Sequence, residues 1–215
     1  MGATGPAGSG LAARLAAVGV EVLIGSRAQE RAEDVCRQIG DRWPDRELPL
    51  RAAVNADAAD AAEIVVLATP WDAAALTAAS VARQVAGKVV ISMANALAKV
   101  GNEFEPLVPP RGSVAGHVQA AIPDAMVAAA FHHLPARALA ALDAPVEGDV
   151  LVCSDHPAAA EATCELIRGI PDLRPLDAGS LSNATAIEAF AGVILQLNVR
   201  YKTRAALRIT GIEPD

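Results

Sequence analysis

The first ten residues contain four glycines and lead directly into an apolar stretch with helical periodicity. The segment ATGPAG matches the dinucleotide-binding pattern GxGxxG at its last two glycines, Gly5 and Gly8, whereas Ala3 replaces the first and Gly2 stands beside it. We expect Gly5 to let the backbone approach a pyrophosphate and Gly8 to let the helix pack closely on a sheet. The helix N-terminus and the Thr4 hydroxyl would donate hydrogen bonds to the phosphates. Alone the signal is weak, because glycine-rich N-termini are often flexible tails.

A second candidate site follows the predicted strand at residues 20–24. NAD-binding folds place an acidic residue at this point to hold the ribose 2′-hydroxyl. Here the residues are Ser26 and Arg27, which can bind a 2′-phosphate by a hydrogen bond and a bidentate ion pair, and Arg31 lies on the same helical face. One such bond contributes about 1.5–3 kcal/mol, which is about tenfold or more in affinity. The pattern predicts a preference for NADP, and the alternative is a solvated helix start.

Two adjacent histidines could take part in chemistry. We expect His132 to face the site and to donate a hydrogen bond where charge develops during a reaction, and His133 to be the less suitable of the two. The alternative is that one of them is a hydrogen-bonded structural histidine. Asp177 is interpreted as a turn residue before Gly179 and not as a catalytic acid. Trp71 is either a ring-stacking residue or a core aromatic.

Apolar runs that alternate with helical runs position these residues. Nearly continuous apolar strands between helices predict an α/β fold with a parallel sheet covered on both faces. Asp72 is expected to cap a helix over residues 73–85, and residues 101–116 are expected to form a long loop. A helix over residues 181–202 carries a wide apolar stripe, which predicts either core packing or a subunit interface. The predicted strands cover residues 20–24, 50–54, 64–68, 88–92, 126–131, 149–154 and 174–177, and the other predicted helices residues 9–18, 29–39 and 157–170.

Composition restricts the class of protein and its partners. The net charge of −7 argues against a nucleic-acid partner, which would require a basic face, but permits a local pocket for a small anion. Three cysteines without a CxxC pair predict free thiols in a reducing cytoplasm and no metal site. No signal-peptide pattern or uninterrupted apolar span occurs, so we expect a cytoplasmic protein that does not enter a membrane.

The sequence resembles one family along nearly its full length, the NADPH-dependent coenzyme F420 reductases, also called F420:NADP oxidoreductases. The most specific segments are TPWD at residues 69–72, FHHLPA at 131–136 and RPLDAGSLSNA at 174–184. The resemblance implies a Rossmann-type doubly wound parallel sheet with a small C-terminal α/β part. Residues 1–140 would form the NADP-binding domain, and residues 141–215 a smaller part with the long helix, the dimer contact and the deazaflavin site. It also implies a homodimer that transfers a hydride between NADP(H) and coenzyme F420, an 8-hydroxy-5-deazaflavin.

The same resemblance implies the residues of the site. Because both partners carry their own reactive electronics, the protein mainly has to stack two rings at hydride distance. Proximity and orientation can lower such a barrier by about 7–11 kcal/mol. The implied NADP-binding residues are Thr4, Gly5, Pro6, Ala7, Ser26, Arg27 and Arg31, and those around the nicotinamide and the deazaflavin are Thr69, Pro70, Ala73, Asn95, Ala136 and, as the catalytic residue, His132.

One departure from the family concerns the first strand. The family begins with a hydrophobic strand before the glycine turn, and this sequence has none. That strand is central in a Rossmann sheet, and burial of about four apolar side chains there contributes roughly 6–12 kcal/mol. This is comparable to the whole stability of a domain, about 5–15 kcal/mol. Either Met1 is a misassigned start and a strand lies upstream, or this is a shortened form with a damaged sheet; we expect the first.

Two other functions remain open from the sequence. The chain could be an NADP-dependent reductase of an imine, a ketoacid or a flavin, although no Tyr-x-x-x-Lys pattern supports carbonyl reduction. It could also be a nonenzymatic NADP-binding module. The FHHLPA and SLSNA segments argue against the second alternative, because a sensor does not need a pocket for a hydride acceptor.

Overall fold

The computed structural model describes residues 1–212 and has an α/β fold. The central sheet has five strands in the order β3-β4-β7-β8-β9, and β1 and β2 form a separate parallel pair. The strands are β1 (Val22–Ser26), β2 (Leu50–Val54), β3 (Ile64–Leu67), β4 (Val89–Ser92), β5 (Leu97–Val100), β6 (Glu103–Pro106), β7 (Met126–Ala129), β8 (Gly148–Ser154) and β9 (Leu173–Asp177). The helices are α1 (Pro6–Ala17), α2 (Gln29–Arg42), α3 (Asn55–Ala61), α4 (Trp71–Ala79), α5 (Ala82–Val85), α6 (Val114–Ala121), α7 (Ala136–Leu139), α8 (Pro157–Arg168) and α9 (Ala184–Tyr201).

The predicted parallel arrangement is found for β3, β4 and β7, and β8 is the exception. Leu67 pairs with Ser92, and Ser92 pairs with Ala129, so the carboxyl ends of these three strands lie at one edge. β8 runs antiparallel to β7, with Ala129 opposite Cys153, and β9 is parallel to β8. The sequence could not indicate this reversal, because a strand buried on both faces is continuously apolar in either direction.

The separation between β1 and β3 leaves a groove in the place where the first strand of a Rossmann sheet lies. Met1 is part of its lining: the Met1 amino group donates to the Val66 carbonyl at 2.7 Å, and the Met1 carbonyl accepts from the Ala68 N–H at 2.9 Å. The groove has a volume of about 550 Å³ and lies between β1, β3 and α1.

Helix α1 covers the groove and packs closely on α7. A side-chain carbon at Gly10 would lie 3.1 Å from the Ala136 carbonyl oxygen, a tighter contact than most side-chain carbons make, so glycine favours this close approach. The Arg14 guanidinium is buried and donates to the carbonyls of Leu139, Ala138, Ala141 and Ala144 at 2.7–3.2 Å. These bonds supply a donor to carbonyls at and beyond the C-terminal end of α7, where a continuing helix would have supplied backbone N–H groups.

Two predictions of local structure are wrong. Asp72 does not cap a helix over residues 73–85: Pro70 is the N-cap, Asp72 lies in the first turn of α4, and a break at Val81 separates α4 from α5. The predicted loop over residues 101–116 includes part of a hairpin, in which β5 and β6 pair antiparallel around Gly101 and Asn102. The Gly-Asn pair was the available signal, but the mixed charged and apolar residues beside it do not alternate as a strand does.

The long C-terminal helix is shorter than predicted. A 3₁₀ turn at Leu181–Asn183 precedes α9, and Lys202 ends α9 in a left-handed conformation with φ of +50°. The predicted domain boundary at residue 140 falls between α7 and β8, and the central sheet continues across it. That boundary stays a prediction. Among residues 1–212, no helix is both long and apolar enough to cross a membrane.

Candidate functional site

The glycine turn lies against the carboxyl end of β3. Gly2 has φ of +79°, and a side-chain carbon there would lie 2.6 Å from Thr69 Cγ2. At Gly8, such a carbon would lie 2.8 Å from Ala68 Cβ, which is the close packing of helix on sheet that the pattern predicts. Gly2 therefore makes the tight approach that the pattern assigns to its first glycine, and Ala3 does not.

The outer side of the turn is open. Gly5 is the N-cap of α1, Pro6 occupies the first turn, and no atom lies within 4 Å of the position that a Gly5 side-chain carbon would take. Thr4 and Pro6 are exposed, and Ala7 is half-buried. The N–H groups of this 12-residue helix point to the same opening, so the geometry fits a pyrophosphate.

The residues predicted for a 2′-phosphate lie at the end of β1 and the start of α2. Ser26 is buried, and its hydroxyl accepts from the Ala28 N–H at 3.5 Å. Arg27 and Arg31 are exposed, and within residues 1–212 neither guanidinium forms a salt bridge. Both cations therefore remain available to an anion. Met1 connects this part to the central sheet, because its Cγ lies 3.1 Å from the position of a Gly25 side-chain carbon.

Buried polar atoms without partners cluster at the carboxyl ends of β3, β4 and β7. In the described part of the chain, Thr69 Oγ1, Asn95 Oδ1 and both ring nitrogens of His132 make no hydrogen bond. Asn95 Nδ2 donates to the His132 carbonyl at 2.8 Å and so connects two of the three residues. An unpaired buried polar group costs about 1–3 kcal/mol, so such groups at one edge of a sheet indicate a ligand site.

The backbone at Phe131 is strained. This buried residue has φ of +66°, a conformation that bulky side chains rarely adopt. Strain of this kind costs about 1–3 kcal/mol and concentrates at functional sites. Phe131 immediately precedes His132 and follows the end of β7.

The predicted catalytic residue, His132, has a carboxylate neighbour that the sequence did not reveal. Its ring is fully buried, and Nε2 lies 4.0 Å from Glu188 Oε1 on α9. The Glu188 carboxylate accepts from the Val114 N–H at 2.7 Å and from the Ala115 N–H at 3.0 Å, at the start of α6. Burial lowers the pKa of His132 to about 3 and raises that of Glu188 to about 7. The imidazole is therefore neutral at physiological pH.

His133 has a structural role. Its Nε2 lies 2.8 Å from the Asp149 carbonyl oxygen, and burial lowers its pKa. Asp149 itself is buried, and Arg174 donates to both of its carboxylate oxygens at 2.7 and 2.8 Å. The alternative of one structural histidine is therefore the correct one for His133.

The remaining predicted residues lie around the same edge. Pro70 is exposed at the start of α4, Ala73 is half-buried within α4, and Ala136 is half-buried at the first position of α7. Trp71 is 37% exposed, so the core alternative is wrong and ring stacking stays a prediction. Asp177 accepts from the Gly179 N–H at 2.8 Å, as predicted for a turn residue.

The structure thus brings most of the predicted residues to one edge. The glycine turn approaches Thr69, and Asn95 is bonded to His132. Ser26 instead ends β1 of the separate two-stranded sheet, and Arg27 and Arg31 follow it in the chain. Sequence reasoning missed Gly2, Glu188 and the strain at Phe131. Only Gly2 had a signal, its position beside the pattern. No group of histidine, cysteine and acidic residues that could hold a metal occurs within residues 1–212.

A glycine turn that opens α1 beside the carboxyl end of β3, together with exposed cations after β1, is the arrangement of a Rossmann-type dinucleotide-binding domain. The profile of the family described as NADP oxidoreductase, coenzyme F420-dependent, matches residues 2–96. Two relatives named F420-dependent NADP reductase cover 99% of this chain. That of Methanocaldococcus jannaschii is 34% identical over 97% of its own length, and that of Methanothermobacter thermautotrophicus is 36% identical over 94%. The chain belongs to the family of F420-dependent NADP reductases.

A solved structure supports the fold. The crystal structure described as an F420-dependent NADP reductase from Arthrobacter sp. FB24 superposes with a TM-score of 0.79 and 24% sequence identity. The match covers 97% of this chain and 96% of the other. The overall α/β fold is therefore also found in an experimental structure.

Proposed function

We propose that this chain transfers a hydride between NADP(H) and coenzyme F420. Its family membership supports this reaction, and the observation that carries it is the row of unpaired buried polar atoms on Thr69, Asn95 and His132. They lie at the carboxyl ends of parallel strands, where ligands of open α/β sheets bind. Hydride transfer requires no nucleophile or metal from the protein, which agrees with the polar but weakly reactive side chains found there.

The NADP end of the proposed site has two parts. The residues from Thr4 to Ala7 hold the pyrophosphate through the N-terminus of α1. Ser26, Arg27 and Arg31 hold the 2′-phosphate, and this interaction supplies the preference for NADP over NAD. The open space at Gly5 and the unpaired guanidinium groups support this assignment.

The two reacting rings are assigned to the edge formed by Thr69, Pro70, Ala73, Asn95 and Ala136. The nicotinamide and the deazaflavin supply the hydride donor and the hydride acceptor. The chain fixes their orientation, and the Thr69 hydroxyl and the Asn95 amide oxygen offer hydrogen bonds that they do not make within the protein. Orientation of this kind is the main contribution a protein makes to a reaction between two cofactors.

His132 is assigned as the group that donates a hydrogen bond to a deazaflavin oxygen. A neutral imidazole carries one N–H, which is sufficient for this task, and no proton has to leave it. Its ring is covered by the surrounding chain, so the bound deazaflavin has to displace part of that cover. The Asn95 side chain donates a hydrogen bond to the His132 carbonyl and so holds the His132 backbone in place. Any movement of His132 that accompanies binding is therefore restricted to its side chain.

Absorbance at the deazaflavin band after mixing with NADPH and coenzyme F420 tests the function. Bleaching that depends on the protein supports it. Absence of bleaching, although NADPH still binds, would contradict it and would favour a reductase of another substrate or a nonenzymatic NADP-binding module. NADH in place of NADPH is the matched control for the role of the 2′-phosphate.

The proposal includes a homodimer. Val193, Leu197 and Tyr201 are 53%, 36% and 74% exposed and follow one another at four-residue intervals on α9, so they form one apolar stripe. An exposed stripe of this kind is typical of a subunit contact. Light scattering after size-exclusion chromatography would give the mass of a dimer, and Val193→Lys would give that of a monomer. A monomeric wild-type protein at micromolar concentration would contradict the dimer.

The proposed location is the cytoplasm. The cysteines are free, with Cys153 and Cys164 buried and Cys36 half-buried, as is typical of a reducing compartment. Fractionation of cells that express the protein, followed by immunodetection, tests this. Enrichment in a membrane or extracellular fraction would contradict it.

A further inference from the structure

We propose that a pocket beside β9, here called the arginine pocket, binds a small anion that carries two or more carboxylate or phosphate groups. It has a volume of about 870 Å³ and lies between the start of β8, β9, the last residue of α8 and residues 204–212. Its wall includes four arginines, Arg168, Arg174, Arg204 and Arg208. The proposal does not depend on the reaction proposed above.

The first argument is the charge of the wall. The chain carries a net charge of −7, yet this pocket has four arginines against two carboxylates, those of Glu147 and Asp172. Both carboxylates are exposed, and neither forms a salt bridge within residues 1–212. A guanidinium group offers a planar fork of N–H donors that fits the paired oxygens of a carboxylate or a phosphate. The wall therefore favours an anion.

The second argument is that the buried carboxylate behind the wall is already neutralised. Asp149 is fully buried, and its two oxygens accept from the Arg174 guanidinium at 2.7 and 2.8 Å. Arg174 also donates to the carbonyls of Ile209 and Ile212, so it fixes residues 204–212 against β9. The cations carried by that segment are therefore held in place before any ligand arrives, which reduces the entropy cost of binding.

The third argument is that two arginines of this segment still have donors to offer. Arg204 is exposed and forms no salt bridge within residues 1–212. Arg208 approaches Asp149 only to 3.6 Å, and its side chain is 63% exposed. Arg168, in contrast, pairs with Glu161 at 3.2 Å. We therefore assign Arg204 and Arg208 as the groups that bind the anion.

The backbone of β9 does not favour a β-strand as the occupant. The Ala178 N–H donates to the Val152 carbonyl at 2.7 Å, so the N–H groups two and four positions earlier also point towards β8. Pro175 then occupies an outward-facing position, where it has no N–H to donate. Proline on an edge strand opposes the addition of another strand. The donors that the pocket offers are therefore its arginine side chains.

The arginine pocket adjoins the sheet edge that carries His132. β8 runs antiparallel to β7, and β9 is parallel to β8, so β8 and β9 begin at the edge where β7 ends. The Asp149 carbonyl oxygen lies 2.8 Å from His133 Nε2, and the Asp149 carboxylate is bonded to Arg174. One residue, Asp149, thus separates the pair of histidines from the wall of the pocket.

This position is compatible with two sources of the same anionic chemistry. One is a separate small anion. The other is the negatively charged side chain of a deazaflavin whose ring lies at His132, and this source alone depends on the proposed function.

The test is isothermal titration calorimetry with citrate, which carries three carboxylates, and with acetate, which carries one. Low ionic strength is required, because salt screens exposed charges. The wild type is compared with Arg204→Ala and with the double variant Arg204→Ala/Arg208→Ala. Arg83→Ala is the matched control, since Arg83 is an exposed arginine on α5 without a salt bridge in the described part of the chain. Arg27→Ala tests whether citrate binds instead at the proposed 2′-phosphate site.

Citrate affinity is expected to fall at least about threefold in Arg204→Ala and at least about tenfold in the double variant. Arg83→Ala and Arg27→Ala are expected to keep the wild-type affinity. Because Arg204 makes no salt bridge, its single variant tests binding without a loss of folding contacts. Unchanged citrate affinity in the double variant would overturn the proposal, as would an equal loss in Arg83→Ala or Arg27→Ala. Equal affinity for acetate and citrate would overturn the requirement for two or more charges.

A second titration distinguishes the two sources of the anion. Coenzyme F420 and its chromophore without the anionic side chain are titrated into the wild type and the double variant. If the coenzyme supplies the anion, the double variant weakens binding of the intact coenzyme only, and citrate competes with it. If the anion is separate, both proteins bind the coenzyme equally and citrate binds beside it. Both results support the pocket, and a failure of the coenzyme to bind would contradict the proposed function while the citrate result stands.

Discussion

The Nε2 atom of His132 lies 4.0 Å from Oε1 of Glu188, and both side chains are enclosed at the carboxyl edge of the sheet. Burial changes their pKa values in opposite directions, to about 3 for the histidine and about 7 for the glutamate, so each favours its neutral form. Two backbone N–H donors from Val114 and Ala115 oppose the rise at Glu188, but burial is the larger effect. The pair thus contributes opposite slopes to the dependence of stability on pH.

The signs of these slopes follow from proton binding. Between pH 3 and the ordinary value of 6.5, the unfolded chain binds a proton at His132 that the folded chain does not, so this contribution to stability rises with pH. Between the ordinary 4.5 and 7, the folded chain binds a proton at Glu188 that the unfolded chain does not, so this contribution falls as pH rises. The two cancel in large part between pH 4.5 and 6.5.

Replacement of His132 by glutamine should expose the contribution of Glu188. We expect the His132→Gln variant to lose stability as pH rises from 4.5 to 6.5, by about 1 kcal/mol per pH unit relative to wild type. Urea unfolding at several pH values measures this, with the exposed His117→Gln as the control. Parallel pH profiles of wild type and His132→Gln would contradict the prediction.

A second prediction concerns the attachment of α9 to α6. Glu188→Ala leaves the buried N–H groups of Val114 and Ala115 without their acceptor, and we expect it to lower the free energy of unfolding by about 2–4 kcal/mol. Urea unfolding at pH 8 measures the loss, and Glu165→Ala, at an exposed position on α8, is the control. A loss equal to that of the control would show that water replaces the carboxylate at no cost.

A third prediction separates two glycines of the same turn. Ala at position 8 would place its Cβ 2.8 Å from Ala68 Cβ, so Gly8→Ala should destabilise the fold by about 1–3 kcal/mol. Gly5→Ala meets no atom within 4 Å and keeps φ at −90°, so stability should change by less than about 0.5 kcal/mol.

The two variants should also differ in NADPH binding, and here the larger effect is expected for Gly5→Ala. If Gly5 faces the pyrophosphate, Gly5→Ala should weaken NADPH binding at least about tenfold, which is about 1.4 kcal/mol. Isothermal titration calorimetry with NADPH measures this. Unchanged affinity in a stable Gly5→Ala protein would exclude close approach of the pyrophosphate to Gly5.

The sequence predicted β2 with its bounds and most other strands within two residues, because apolar runs between turn residues are a local signal. It did not predict the reversal of β8 or the hairpin of β5 and β6, since strand direction depends on the path of the chain through the fold. For the site, Ser26 and Thr69 were recognisable because each follows an apolar strand. Glu188 was not, because its contacts with Val114 and His132 join segments more than fifty residues apart in the sequence.

The last prediction concerns Arg27, which is exposed and has no salt bridge within residues 1–212. Arg27→Ala removes one charge-assisted contact to the 2′-phosphate, so NADPH affinity should fall about 10–150-fold, the equivalent of about 1.5–3 kcal/mol. NADH affinity should stay unchanged, because NADH lacks that phosphate. Arg37→Ala is the control, since Arg37 is an exposed arginine on α2, the helix that follows Arg27, but pairs with Asp34 at 2.8 Å. An equal loss for NADPH and NADH would mean that Arg27 binds a part common to both cofactors, and an unchanged NADPH affinity would remove Arg27 from the site.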